Sequence, residues 1–315
     1  MKSLKFRTYL FICFALFFSA CATDPKYFVS KPFLYEVTKD TQKAYLFGTI
    51  HLGVATDDFP NEFWKYFDES EQLLPESDNL SESDLKEIDK LIILKLKKDV
   101  NAPKVTELMN AENAENVKNF IYKIYPENGL DIINTLSPFG VYSVIVEHFF
   151  SINDYIISRG EAIRMSQRFM MDFDLIKKAR RSKKSIIPLD EPSQESIINC
   201  ILNDDKYYIE QIIKFSLGQD VLVNLQENFK LIYAYRAGNE GFFKTEFSNM
   251  TNKQCLIDER NKLWMPKIKT QMEKSGIPFI AVGVGHVLNS EGSLIHLFEK
   301  EGYRVVPLFK EPVKD

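Results

Sequence analysis

The sequence predicts an α/β fold in which a central mixed β-sheet carries helical insertions that cover a site at its strand ends. Short apolar runs typical of buried strands occur near both ends of the chain, over residues 44–47 and 278–282. Between them, longer stretches repeat apolar residues at helical spacing, as over residues 85–96. With 45% hydrophobic residues and no long Pro/Gly/Ser linker, the chain is expected to form one large domain with a substantial core.

Residues 1–20 have the layout of a secretory signal. Three basic residues precede an apolar run over residues 9–18, and small residues then lead to Cys21. Small residues before a cysteine also resemble a bacterial lipobox, although Phe18 departs from the usual leucine three positions before it. Cys21 is therefore the expected lipidation site, with a buried N-terminal helix as the alternative.

This start predicts how the chain is organised. Residues 1–20 form a lipoprotein signal peptide, residues 21–30 a tether, and residues 31–315 the α/β domain. We expect a lipid-anchored protein of the cell envelope, attached to a membrane and facing the periplasm or the exterior. Without residues 1–20, acidic residues exceed basic ones by about seven, which disfavours nucleic acid as a partner.

Each of the two apolar runs leads into a glycine, two further residues and a histidine. The motifs are Gly48-Thr-Ile-His51 and Gly283-Val-Gly-His286, and the chain has only four histidines. A glycine at a strand end permits positive φ or close backbone approach, so Gly48 is expected to end its strand. The repeat predicts one shared site beyond the strand ends, where α/β proteins bind ligands. Taken singly, each histidine could instead be a satisfied core or turn residue.

The two motifs resemble those of the TraB/PrgY/GumN family, which includes the TIKI proteins. Residues 34–37 (LYEV) before the first motif and residues 301–305 (EGYRV) after the second add to the resemblance, which spans about residues 33–307. The resemblance implies an α/β fold with both motifs at one site. For the TIKI branch it implies a metal-dependent peptidase activity that favours manganese or cobalt, whereas other branches resemble regulators of peptide pheromones.

The resemblance also implies roles for several acids. Glu76-Ser-Asp78 matches a Glu-x-Asp pattern of the family, which makes Glu76 a candidate metal ligand or general base; a solvated acidic turn is the alternative. Asp172 keeps a family acid although the usual neighbouring glycine is lost. Asp190 ends a predicted strand over residues 185–190, where the family commonly has a glutamate. Asp172 and Asp190 are secondary candidates.

A predicted helix over residues 253–274 carries Arg260 and Asn261, which resemble the family's Arg-Asn helix. A planar, permanently charged guanidinium matches developing oxyanion charge, so Arg260 is a candidate catalytic residue. Asn261 is a candidate to orient Arg260 or the ligand. Trp264 follows one turn after Arg260, so packing between these two side chains is the competing structural explanation.

The remaining histidines and cysteines are assigned no chemistry. His148 lies among apolar residues on a predicted helix, as expected for a packing residue, and His296 is a helix residue spaced away from any pair of acids. Cys200 and Cys255 could pair in an oxidising periplasm or remain two buried thiols. Neither has the Cys/His spacing of a zinc–cysteine site.

These residues together predict a metal-dependent hydrolase that acts on a peptide. His51, Glu76 and His286 are the expected ligands of a divalent metal, and their types leave manganese, cobalt and zinc open. The metal would polarise a carbonyl and lower the pKa of its water, while Glu76 would be a ligand or base and Arg260 would stabilise the oxyanion. The alternative is a non-catalytic envelope lipoprotein that binds a peptide, haem, another small molecule or a metal ion.

Overall fold

The computed structural model describes nine stretches of the chain: residues 28–50, 53–78, 90–157, 171–190, 195–218, 230–250, 252–274, 276–288 and 291–310. The predicted signal peptide 1–20, Cys21 and His51 lie outside the described residues. Their expected roles therefore remain predictions.

The described residues form one mixed sheet of six strands, which confirms the predicted fold class. The strands are β1 (Leu34–Lys39), β2 (Gln42–Thr49), β3 (Gln72–Pro75), β4 (Ser185–Ile186), β5 (Pro278–Gly283) and β6 (Arg304–Pro307). Their order across the sheet is β4-β3-β5-β2-β1-β6. Strands β4, β3, β5 and β2 are parallel neighbours, whereas β1 pairs antiparallel with both β2 and β6. The four parallel strands therefore end at one edge of the sheet.

The strands of the two Gly-x-x-His motifs are direct neighbours in this sheet. β2 and β5 run parallel, with Gly48 opposite Val282 and Thr49 opposite Gly283. The prediction that Gly48 ends its strand is wrong, since β2 continues through Thr49. Close packing explains the glycine: a Cβ at Gly48 would lie 3.2 Å from the Cα of Val284.

Helices cover both faces of the sheet and also form an insertion. In chain order they are α1 (Asn61–Glu69), α2 (Ala111–Ile124), α3 (Gly129–Thr135), α4 (Pro138–Ile157), α5 (Met171–Arg181), α6 (Glu195–Leu202), α7 (Asp205–Ser216), α8 (Glu240–Ser248), α9 (Glu259–Met272), α10 (Val284–Leu288) and α11 (Leu294–Lys300). A π-helical turn, Gln254–Asp258, leads directly into α9. Residues 90–96 and 230–236 are also helical.

Part of the main core is an aromatic cluster that joins the sheet to α1. Phe279 of β5 is fully buried, and its ring centroid lies 5.9 Å from that of Phe47, 5.9 Å from Phe63 and 5.2 Å from Phe67. The contacts of Phe279 with Phe63 and Phe67 are edge-to-face, an arrangement that adds to the free energy gained by burial. The core thus fixes β5 against β2 and sets the positions of both strand ends.

A second, smaller core belongs to the helical insertion. It is built by α2, α3, α4 and α7, and its buried apolar residues include Val117, Ile121, Val141, Ile145 and Ile212. His148 of α4 lies at its border, half-buried, with its ring centroid 5.3 Å from that of Tyr125. Among the described residues, no helix combines the length and the apolar character that crossing a membrane requires.

The packed part of the chain begins before the predicted domain boundary at residue 31. Val29 is fully buried, and its amide donates to the carbonyl of Asp58. The amide of Ser30 donates to the carbonyl of Arg236. Val29 and Ser30, which the sequence assigned to the tether, are therefore part of the folded domain, because their backbone groups are bonded to it.

Candidate functional site

A cavity of about 570 Å³ lies at the edge where the parallel strands end. Its polar lining includes Glu76 after β3, Asp190 after β4, Arg260 on α9 and His286 after β5. The rest of the lining is largely apolar and includes Ile197, Ile201, Leu231, Phe247, Met250 and Leu256. A cavity of this size and mixed polarity is typical of a small-molecule or peptide site.

Glu76 is fixed by the neighbouring strand and by α9. Its Oε1 accepts a hydrogen bond of 2.6 Å from the amide of Gly283, the last residue of β5. Its Oε2 accepts a 2.6 Å hydrogen bond from Nη2 of Arg260. Only 17% of the Glu76 side chain is exposed, so the solvated-turn interpretation of this residue does not describe the structure.

Asp190 reaches the same edge although β4 is shorter than the predicted strand over residues 185–190. Regular strand geometry covers only Ser185–Ile186, and Pro188, which has no N–H, follows. The amide of Asp190 nevertheless donates to the carbonyl of Glu76 at 2.8 Å, which holds the two acids side by side. Burial raises the pKa of Asp190, and its hydrogen bonds with Arg260 oppose that effect.

Arg260 is the centre of the polar cluster. Its Nε and Nη2 donate to the two oxygens of Asp190 at 3.2 and 2.6 Å, and Nη2 also donates to Glu76. Nη1 contacts the carbonyl of Leu256 at 3.2 Å and Nε2 of His286 at 3.1 Å. Burial alone would lower the pKa of Arg260, but the charges of Glu76 and Asp190 raise it. These five contacts match the five N–H groups of a guanidinium.

The ring of Trp264 packs against the guanidinium of Arg260. The guanidinium carbon of Arg260 lies 4.5 Å from the Trp264 ring centroid, so the expected packing between them is present alongside the ion pairs. The indole Nε1 donates to Asp190 at 2.9 Å, and the same ring lies 4.5 Å from that of His286. One buried tryptophan therefore contacts three polar members of the cluster.

Asn261 fixes His286 through both its backbone and its ring. The Asn261 Nδ2 donates to the carbonyls of His286 and Gly292 at 3.1 and 2.8 Å, so its Oδ1 faces the imidazole Nδ1 at 2.7 Å. Because an arginine can only donate, Nε2 of His286 accepts from Arg260. The geometry therefore fits a neutral imidazole with its proton on Nδ1, held by a fully buried Asn261.

Glu76 and His286 are the described residues that could hold a metal. Glu76 Oε1 lies 3.8 Å from His286 Nε2, and carboxylate and imidazole are ligand types that manganese, cobalt or zinc accept. Arg260 Nη1 would have to leave His286 Nε2, because a metal would use that lone pair. Within the described residues, no three His, Cys, Asp or Glu side chains form a group suited to a metal. The pair fits as a partial set that His51 is expected to complete.

Two neighbours of His51 line the cavity, whereas Asp172 and His296 do not belong to its described lining. Thr49 and Ile50, which precede His51 in the chain, line the cavity. Asp172 is not among the described residues that line it; its charge instead helps to raise the pKa of the buried Tyr235. His296 lies at a separate, smaller cavity.

Cys200 and Cys255 form a disulfide, which settles the alternative left open by the sequence. The bond joins α6 to the π-helical turn Gln254–Asp258, and both elements line the cavity. Leu256, next to Cys255, supplies the carbonyl that accepts from Arg260. The disulfide therefore connects the apolar wall to the polar cluster.

The sequence predicted helical insertions over the site, but it indicated neither which apolar side chains line the cavity nor the contact made by Tyr235. The wall comes from elements between residues 195 and 257, which carry helical patterns but no motif. Tyr235 is fully buried and donates through its hydroxyl to the carbonyl of Gly48 at 2.5 Å. A tyrosine on a helical pattern gives no sign of a partner 187 positions away.

Comparison with known proteins places the chain in a family. The TraB/PrgY/gumN family model matches residues 33–307, which include all six strands of the sheet and the residues Glu76, Asp190, Arg260, Asn261 and His286. No curated protein and no solved structure matches the chain. Because the family model covers most of the sequence, the chain belongs to the TraB/PrgY/gumN family.

Proposed function

We propose that the chain is a metal-dependent hydrolase that cleaves peptides in the strand-end cavity. The observation that carries the proposal is the placement of Glu76 and His286, 3.8 Å apart, beside a buried guanidinium and at the polar end of that cavity. Convergent carboxylate, imidazole and guanidinium groups in a cleft are typical of hydrolytic sites. Membership of the TraB/PrgY/gumN family supports the proposal only through the peptidase activity that resemblance to the TIKI branch implies.

Glu76 and His286 would hold a divalent cation, manganese, cobalt or zinc, with His51 as the further expected ligand. Such a cation, when bound, polarises a substrate carbonyl and lowers the pKa of a water molecule. Asn261 keeps the proton of His286 on Nδ1 and so leaves Nε2 as the free lone pair once Arg260 withdraws. Glu76 is also the candidate general base, since it is the acid that faces His286.

The main role of Arg260 in this proposal is to position Glu76 and Asp190. Its donors are shared among Glu76, Asp190, His286 and the carbonyl of Leu256, so contact with an oxyanion requires one of these bonds to break. The bond to His286 is the one that metal binding would release. Without that bond, one N–H of Nη1 would be available to donate to an oxyanion, while the other would still contact the carbonyl of Leu256.

The second candidate function is binding without turnover. The apolar wall, with Ile201 of α6 and Phe247 of α8 among its members, suits the side chains of a peptide or the face of haem. A binding protein would use this wall in the same way as an enzyme. The two functions therefore differ in whether the polar cluster hydrolyses the bound ligand or only binds it.

We also propose that the protein acts at the cell envelope through a lipid on Cys21. The disulfide between Cys200 and Cys255 agrees with an oxidising compartment. Labelled palmitate should enter the wild-type protein and not Cys21→Ser. Label retained in the variant would contradict the anchor without affecting the proposal for the cavity.

The test of hydrolysis uses chelated protein restored with Mn²⁺, Co²⁺ or Zn²⁺ and a diverse peptide library. We expect cleavage to return with metal, and to be lost in Glu76→Gln and His286→Ala. His296→Ala is the matched control, because this histidine lies at another cavity. Saturable binding of a peptide or of haem, with no product under any metal, would favour the binding protein.

A further inference from the structure

One aromatic ring of the cavity wall lies against the backbone next to His286. Phe247 of α8 lines the cavity, and so do Gly285 and His286 of α10. A Cβ added at Gly285 would lie 2.9 Å from Cε1 and 3.0 Å from Cζ of Phe247. The ring therefore occupies the space that a side chain at position 285 would need. Phe247 thus brings apolar surface to the polar end of the cavity, where Glu76 faces His286.

A row of aromatic side chains fixes the position of Phe247. Its ring stacks on that of Phe243, with the centroids 5.9 Å apart and the planes at 18°. Phe243 is fully buried and meets Phe33 edge-to-face, with a centroid distance of 5.4 Å. Phe247 itself is half-buried, so part of its ring packs in this row while another part lines the cavity. The row holds the ring in place before a ligand binds, which spares the ligand the entropic cost of ordering it.

The rest of the apolar wall also presents surface that the fold does not cover. Ile201 of α6 lines the cavity and is 41% exposed, and Leu231, Met250 and Leu256 line it while only partly buried. The disulfide that joins α6 to the π-helical turn fixes Ile201 and Leu256 relative to each other. Uncovered apolar surface that is gathered in a concave site is typical of ligand binding.

Along the described part of the cavity, charge is confined to the polar end. Among the described lining residues, the side chains that carry a full charge are Glu76, Asp190 and Arg260, and they are bonded to one another. A charged side chain of a ligand would lose its hydration along the wall without gaining an opposite charge from these lining residues. A leucine or phenylalanine side chain would instead gain affinity, about 10- to 100-fold over glycine, because its apolar surface leaves water.

We propose that the cavity selects peptides that place a large apolar side chain beside the polar cluster, and that Phe247 is the residue that determines this specificity. The inference rests on the proposed function in taking the ligand to be a peptide. Because Phe247 contacts the backbone next to His286, a ligand side chain adjacent to the bond at the cluster would pack on its ring. Glycine at that position would leave the ring uncovered, and lysine or aspartate would bury a charge against it.

The test uses blocked tetrapeptides of the form acetyl-Gly-Gly-Xaa-Gly-amide, in which Xaa is phenylalanine, leucine, glycine, lysine or aspartate. Calorimetry on chelated protein measures their binding without metal-dependent cleavage. We expect the phenylalanine and leucine peptides to bind about 10- to 100-fold more tightly than the other three. Phe247→Ala should remove most of this preference, whereas Phe247→Leu, which keeps apolar surface at the same place, should retain it.

Phe242→Ala is the matched control for Phe247→Ala. Phe242 lies on the same helix and also packs on Phe243, with a centroid distance of 5.4 Å, but it is not among the described residues that line the cavity. The preference for apolar peptides should therefore survive in Phe242→Ala. An equal loss of preference in Phe242→Ala and Phe247→Ala would contradict the specificity role of Phe247.

Ile201→Ala provides a second variant, at an exposed side chain whose loss should cost the fold little. It should weaken binding of the phenylalanine peptide and leave binding of the glycine peptide unchanged. Equal affinities of the wild type for all five peptides, or no binding of any of them, would overturn the proposal. Equal cleavage of all five with Mn²⁺ would contradict this inference and support hydrolysis, whereas a preference for apolar peptides without any product would do the reverse, so the two failures are distinguishable.

Discussion

Asn261 and His286 form a fully hydrogen-bonded pair in which one amide satisfies three groups. The Oδ1 of Asn261 faces Nδ1 of His286 at 2.7 Å, and Nδ2 donates to the carbonyls of His286 and Gly292. Asn261 has no exposed surface, so water does not compete for these bonds. The amide therefore fixes the position, the tautomer and the ring orientation of His286 at once.

The variant Asn261→Leu should be destabilised and should also lose control of the His286 tautomer. The change keeps the volume but removes the amide that two carbonyls and one ring nitrogen share, which should lower the free energy of unfolding by about 2–4 kcal/mol. Urea denaturation measures the stability, and ¹⁵N chemical shifts measure the tautomer. Asn249→Leu, at an exposed position, is the control. An unchanged Nδ1–H tautomer in Asn261→Leu would contradict the assigned role.

Removing Arg260 should deprive two largely buried acids of the cation that they share. Arg260→Met should lower the free energy of unfolding by about 3–5 kcal/mol, because Glu76 and Asp190 lose their shared partner. When Arg260→Met is made in the Asp190→Asn variant, it should lower the free energy of unfolding by less than it does in the wild type. The effects of the two substitutions should therefore be non-additive by about 1–3 kcal/mol. Urea denaturation of the four proteins gives this coupling energy. Additive effects would mean that the Arg260–Asp190 ion pair contributes little to the free energy of unfolding.

Reduction of the disulfide should destabilise the protein and loosen the cavity wall. Cys200 and Cys255 are 55 positions apart, and a cross-link that closes such a loop typically contributes about 2–4 kcal/mol. We expect dithiothreitol to lower the urea midpoint of the wild type but not that of the Cys200→Ser/Cys255→Ser double variant. A wild type whose midpoint stays constant, although thiol titration shows both cysteines reduced, would contradict this expectation.

The sequence predicted the sheet and the edge at which its motifs lie, because short stretches of sequence mark each strand and each motif. A short apolar run marks β2 and another marks β5, and the repeated motif after each predicted that both strands contribute to one edge. Glu76 and Asp190 were identified through the family resemblance, as acids that follow predicted strands. Their exact partners could not be identified, since Arg260 is 184 positions from Glu76 and 70 from Asp190.

Tertiary packing decided the features that the sequence missed or mistook. Gly48 was expected to end a strand, yet β2 continues to Thr49 because it pairs with β5 up to Gly283. Val284 lies where a Cβ on residue 48 would be crowded. Tyr235 and Arg236 lie on a segment whose local pattern indicates only a helix. Their side chains donate to the carbonyls of Gly48 and Gly53, which are more than 180 positions away. A single sequence carries no local sign of such pairs.

The close packing of Gly48 gives a direct test of its role. Gly48→Ala should lower the free energy of unfolding by about 1–3 kcal/mol, because the added methyl would crowd the backbone of Val284 at 3.2 Å and Cβ of Phe33 at 3.3 Å. Gly241→Ala is the control, since its added Cβ meets only a side-chain oxygen at 3.6 Å and alanine favours α8. If Gly48→Ala were as stable as Gly241→Ala, the packing explanation would fail.

The raised pKa of Asp190 predicts a specific dependence of stability on pH. Burial is the main cause of the shift, so the folded protein binds the proton of this carboxyl more tightly than the unfolded chain, whose ordinary value is 3.8. Between 3.8 and the raised value the folded state holds the extra proton, and the contribution of Asp190 to stability falls as pH rises through that window.

The variant Asp190→Asn tests this dependence, because the amide side chain that it introduces does not titrate. The difference in unfolding free energy between wild type and Asp190→Asn should therefore change across the window and stay constant above it. Urea denaturation from pH 4 to about pH 8 measures this difference. Asp174→Asn, at a more exposed position, controls for the loss of one negative charge. A difference that increases in favour of the wild type with rising pH would show that Arg260 outweighs burial at Asp190.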